Sequence, residues 1–120
     1  MRICTSYFGK LKKLPKNYVP VAICGKMMFP YSGLRYTKLA PNIGFFTEWK
    51  KTHDNDYYIK HFNDEVLSLL DKDTVRREIE EIVGKDAEAA VLMCYEKPEK
   101  FCHRHLVAEW LGSDVQELHV

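Results

Sequence analysis

The chain has 120 residues, of which 46% are hydrophobic and 29% charged, and its formal net charge is +1. That length supports one domain with a real core, and that balance excludes a disordered chain. The near-neutral charge excludes a global field drawing nucleic acid or acidic membrane, and no apolar run approaches the roughly 20 residues of a bilayer span. Lys10, Lys12, Lys13 and Lys16 form a local basic cluster, best read as a solvated turn. The opening MRICTSYF lacks the long apolar stretch of a signal peptide, so a cytoplasmic protein is expected.

In that compartment the four cysteines are expected as free thiols. Cys4, Cys24 and Cys94 each sit in or at the end of an apolar run and read as core residues. Cys102 differs, because charged residues and a helix start surround it. No C-x-x-C pair is present, so neither a structural zinc site nor any other bound metal is expected.

Residues 2–8 read as a first strand. Residues 9–17 are basic and leave room for one helical turn before Pro15 limits it. Residues 18–24 form a continuous apolar run, as in a strand buried on both faces. Pro20 must then sit near the strand start or where no ladder bond is needed. Residues 25–58 form a long aromatic-rich insertion with a short helix expected near 44–51, because a structureless loop of that length is unusual. Apolar residues at helical spacing mark 58–70. Asp73 is the expected cap of the next helix, Val75, Ile79, Ile82 and Val83 its apolar stripe, and Gly84 its stop. Residues 89–95 are the most strand-like run, 102–111 an amphipathic helix ended by Gly112, and 115–120 a last strand. This order predicts a single α/β domain over 1–120, a small three-layer, Rossmann-like sandwich with a mostly parallel sheet.

In such sheets ligands bind beyond the carboxyl ends of the strands. That edge should gather Ser6, Tyr7, Lys26, Glu96, Cys102, His103 and Arg104. A thiol at a helix N-terminus meets unpaired backbone N–H groups and the positive end of the dipole, which favour a thiolate and bind anions. Cys102 is thus a candidate nucleophile, or else a half-buried helix-start thiol. His103 and Glu96 are candidates for moving protons, and Arg104 for clamping an anion, with a salt bridge to Glu96 or Glu99 as its structural alternative. Tyr36, Trp49 and Tyr58 would wall the pocket, or simply pack over the sheet. There is no dinucleotide fingerprint, Walker loop or zincin motif, and the phosphatase-type Cys-x5-Arg cradle fails because Lys100 stands at its last position.

The run LMCYEKPEKFCHRHLVAEWL with the closing VQELHV resembles the C-terminal signature of the domain-of-unknown-function family 488, at Cys94, Glu96, Cys102, His103, Arg104 and His119. The middle of the chain is similar to a shorter branch of that family, at Leu39, Ala40, Pro41, Trp49, Tyr58, Phe62 and Glu65, and ICTSYF to its first strand. Many members carry an Asp-Val-Arg step after the second strand, where this chain has Ala22-Ile23-Cys24-Gly25-Lys26. The resemblance implies an α/β, Rossmann-like domain and supplies no settled activity. Together these readings lead to an expected small enzyme acting on a phosphorylated or nucleotide-like ligand, with no cofactor. The alternatives are a non-catalytic nucleotide or nucleic-acid binding module using the Lys10–Lys16 charge, and a partner-binding adaptor using the aromatic insertion.

Overall fold

The computed structural model describes residues 1–25 and 31–120. The strands are β1 (Arg2–Tyr7), β2 (Tyr18–Ala22), β3 (Leu34–Arg35), β4 (Ala89–Cys94) and β5 (Gln116–Glu117); the α-helices are α1 (Ile43–Thr52), α2 (Asn55–Glu65), α3 (Lys72–Val83) and α4 (His103–Leu111). The strands form a five-stranded sheet in the order β3-β2-β4-β1-β5, parallel at every pairing. β4 is central and buried along its whole length, which is why it reads as an unbroken apolar run.

The two faces of the sheet are covered differently. Ile3, Val21, Ile23, Ala90 and Leu92 face a core shared with all four α-helices, through Phe45, Phe62, Ile79 and Val107 among others. Cys4, Ala22, Cys24, Val91 and Met93 face a thinner layer of Phe8, Leu11, Leu14, Tyr18, Tyr31 and Tyr95. That layer is built by a 3-10 turn, Phe8–Lys13, so the third layer of the sandwich is a turn and loops rather than helices. Pro20 is tolerated because of strand direction. Ala22 O accepts from Tyr36 N on the β3 side, while Ile23 N donates to Met93 O on the β4 side. Pro20, two residues before Ala22, therefore turns its missing N–H away from β4, and β3 pairs only with Val21 and Ala22.

Several boundaries correct the sequence reading. β3 lies inside the insertion and was not expected; its two residues are exposed and carry no apolar pattern. α2 begins at Asn55 because Asp54 caps it, accepting from Tyr57 N at 3.2 Å, and it stops at Glu65, before a short 3-10 turn, Leu67–Leu69. Asp71, not Asp73, caps α3: its carboxylate accepts from the backbone N–H and the hydroxyl of Thr74, both at 2.9 Å. The last strand is two residues rather than six. No helix among the described residues is long and apolar enough to cross a membrane.

Candidate functional site

Because the strands are parallel, their carboxyl ends share one edge. There, Gly25 after β2 and Tyr95 and Glu96 after β4 meet the start of α4 and the flank of α1, and a cavity of about 770 Å³ opens between them. Its walls are aromatic: Phe46, Trp49, Tyr58 and Phe101. Trp49 and Phe101 lie 5.5 Å apart between ring centroids, and Tyr58 meets Phe101 edge-on at 5.0 Å. Exposed Ile43 and Lys50 stand at the mouth, with the Lys50 ammonium 5.4 Å from the Phe46 ring centroid.

The floor is sulfur and imidazole. Cys102 is the N-cap residue of α4. Its sulfur is bonded to that of Cys94, the last residue of β4, across a sequence separation of 8. This corrects the expectation of four free thiols: the end of the central strand and the start of the helix converge at this edge. Cys4 and Cys24 are buried thiols outside any disulfide, as expected, and burial pushes the Cys4 thiol up to about 11.

His103 follows, fully engaged. Its Nε2 lies 2.8 Å from the Ile23 carbonyl. A carbonyl only accepts, so Nε2 carries the proton and donates, and Nδ1 keeps its lone pair. Nδ1 lies 3.9 Å from Cys102 Sγ. Burial pushes the imidazole down to about 4, partly offset by the Ile23 hydrogen bond and reinforced by the Arg104 charge. The ring is therefore neutral at neutral pH, able to orient a thiol but weak as a base. The potential ligand atoms of Cys94, Cys102 and His103 all lie within 4.8 Å of one another. In the reduced chain that trio offers two thiolates and an imidazole, a donor set for a soft divalent ion that the sequence did not suggest.

Arg104 is wholly buried behind the cavity floor. Its Nε and Nη2 each donate to a Glu117 carboxylate oxygen at 3.1 Å. Its Nη1 donates to Cys94 Sγ at 3.1 Å and to Glu96 O at 2.6 Å. The guanidinium is thus spent on the protein itself, with Glu117 as ionic partner in place of Glu96 or Glu99. Thr5 Oγ1 donates to the same carboxylate at 2.7 Å.

Of the residues singled out from sequence, the structure gathers Cys102, His103, Glu96, Trp49 and Tyr58 around the cavity. Four do not line it: Arg104, behind the floor, and Ser6, Tyr7 and Tyr36. The buried Ser6 hydroxyl has no hydrogen-bond partner among the described residues, Tyr7 lies under the Arg104 guanidinium at 5.9 Å, and the Tyr36 hydroxyl donates to Glu78 at 2.6 Å. Lys26 lies outside the described residues. His119 is exposed. Sequence reasoning missed Cys94, Phe46, Phe101, Lys50 and Glu117. For Cys94 a signal existed, since it closes β4 only eight residues before Cys102.

A family model described as the active DUF488-N3 subclade matches residues 10–114. The chain belongs to the DUF488 family. That match spans the cavity walls, both bonded cysteines, His103 and Arg104, and stops short of Glu117. No curated protein and no solved structure matches the chain.

Proposed function

We propose that this DUF488-family chain is a small enzyme acting on a phosphorylated or nucleotide-like ligand, with Cys102 as the reacting atom. The observation that carries this reading is the placing of Cys102 and His103 on the floor of an aromatic-walled cavity at the carboxyl edge of a parallel sheet. A heterocycle can lie against the aromatic wall that Phe46, Trp49 and Phe101 present to the cavity, where flat rings gain stacking energy. Among the described residues that line the cavity, Lys50 is the cation available to a phosphate. Arg104, which the sequence reading gave that task, instead braces the floor. In the reduced chain the Cys102 thiol loses its proton and its sulfur bonds to an electrophilic centre of the ligand as the bond from that centre to its leaving group breaks, the group departing with the bonding electron pair. His103 Nδ1 orients the thiol, and the exposed Glu96 at the rim carries the proton to solvent. While Cys102 is bonded to Cys94 it has no such capacity, so the reading concerns the reduced protein.

The burial of Tyr36, Phe45 and Tyr58 removes aromatic surface that an adaptor would need, and none of Lys10, Lys12, Lys13 or Lys16 lines the cavity. The test is tryptophan fluorescence of the reduced Trp110→Phe chain, in which Trp49 is the remaining tryptophan, titrated with purine and pyrimidine nucleoside phosphates, followed by turnover assays on those that quench. Quenching by a nucleotide but not by inorganic phosphate, with turnover lost in Cys102→Ala, is expected. Turnover unchanged in Cys102→Ala would contradict the nucleophile, and binding without turnover would make the chain a binding module.

A further inference from the structure

We propose that Cys94 and Cys102 are a working dithiol–disulfide pair, through which the chain reduces a small-molecule disulfide carrying a flat aromatic ring. This rests on the proposal that Cys102 is the reacting atom of the cavity, and it names the bond attacked as a sulfur–sulfur bond.

Three observations carry it. First, the bridge closes a short loop. The bridge spans a sequence separation of only 8, and a short loop gains the least from cross-linking. Second, the bridge faces the cavity, and the other two cysteines, both buried, are not disulfide-bonded. Third, the two sulfurs are unequal. Cys102 is 8% exposed and Cys94 only 1%, so an incoming molecule meets Cys102 first. Arg104 Nη1 donates to Cys94 Sγ, and its guanidinium is fixed by Glu117. A thiolate on Cys94 is therefore held ready by a charge that does not move. The same guanidinium argues against a resident metal. A cation bridging Cys94, Cys102 and His103 would stand within a few ångströms of a second, buried positive charge.

Cys102 thiolate attacks one sulfur of R–S–S–R′; that bond breaks and R′–S⁻ leaves, taking a proton from water. The mixed disulfide Cys102–S–S–R remains. Cys94 thiolate then attacks Cys102 Sγ, and R–S⁻ leaves in turn. The substrate gains two electrons and the two protein thiols lose two, giving the bonded state of the structure. A small dithiol reductant returns the pair to thiols by the same exchange.

The probe is 2,2′-dithiodipyridine, a disulfide with two flat heterocycles. It is added to the reduced chain, with thiopyridone release followed by absorbance and products mapped by mass spectrometry. The expected result is a fast release of two thiopyridones per chain and a Cys94–Cys102 bond. Cys94→Ser should release one in that phase and keep a thiopyridyl group on Cys102. Cys102→Ser should slow the phase by about tenfold or more. A thiopyridyl adduct persisting on Cys102 in the unaltered chain would overturn the proposal, with no need of a folded variant. One zinc ion bound per reduced chain, shielding both thiols from the probe, would overturn it in favour of a metal centre. Nucleotide quenching of Trp49 alongside failed exchange would sink this inference alone; rapid exchange without nucleotide binding would support it and revise the ligand class.

Discussion

At the scale of single residues the site turns on His103. Its imidazole is held neutral, with the folded value pushed down to about 4 by burial. The unfolded chain binds that proton near pH 6.5. Between those values the unfolded state holds more protons, so stability rises with pH across the window. The contribution is fully present above pH 6.5 and is lost as pH falls towards 4. Its size is up to about 3 kcal/mol. His105 is shifted in the same direction, by burial first, so the comparison must be with a His103 variant. Urea unfolding at pH 7 and pH 4.5 should show the loss in the unaltered chain and a flatter dependence in His103→Gln. An equal slope in both would mean that His103 titrates normally. Cys102 and His103 were legible in the sequence because a thiol and an imidazole opening an amphipathic helix are visible without any fold. Cys94 was legible only in part: its spacing of eight from Cys102 was a signal, but its place in a six-residue buried strand made it read as a core thiol. Glu117 was not, because its meeting with Arg104 depends on β5 pairing with β1 in one register, Thr5 opposite Glu117.

Among the elements, α4 is fastened to the sheet by two polar bolts. His103 ties its first turn to the end of β2, and Arg104 ties it to β5 through a bidentate, almost wholly buried pair. Removing one partner of such a pair strands a buried charge and costs about 3–5 kcal/mol. Glu117→Leu should therefore destabilise the chain by that amount in urea unfolding, and Arg104→Met together with Glu117→Leu should recover most of it. A Glu117→Leu variant of normal stability would contradict the assignment. The α3 cap is a smaller device: Asp71→Ala should cost about 1 kcal/mol, whereas Asp73→Ala, at a position with no such cap bond, should cost less. Equal costs would put the cap back at Asp73. The strands were legible where burial leaves an apolar run, fully so in β4 and in part in β2, while β1 was read from Ile3, Cys4 and Tyr7 alone. β3 exists only because Leu34 and Arg35 lie beside Val21 and Ala22, and pairing of that kind leaves no local mark. The aspartates near α3 show a related limit. Composition says that an aspartate caps the helix, but only the backbone course says which one.

For the whole molecule, the parallel sheet is what makes the site. It brings segments distant in sequence, Cys24–Gly25, Pro41–Lys50, Tyr95–Glu96 and Phe101–His103, to one edge. That ligands bind at such an edge follows from the alternation of strands and helices along the chain. What the alternation does not give is depth. Ser6 and Tyr7 belong to the correct edge but lie away from the cavity, and Arg104 points behind the floor rather than into it. If ring stacking holds the ligand, Trp49→Ala should weaken nucleotide binding by about tenfold, read by calorimetry; unchanged affinity would place the ligand elsewhere. The central claim is that Cys102, in the reduced chain, is the reactive sulfur of a ligand cavity. The most direct measurement is the iodoacetamide alkylation rate of each cysteine, mapped by mass spectrometry with and without a quenching nucleotide. Cys4, buried and pushed up to about 11, is the internal reference. The account predicts that Cys102 is alkylated first and is protected by the nucleotide; alkylation of Cys102 no faster than Cys4, or at the same rate with ligand bound, would contradict it.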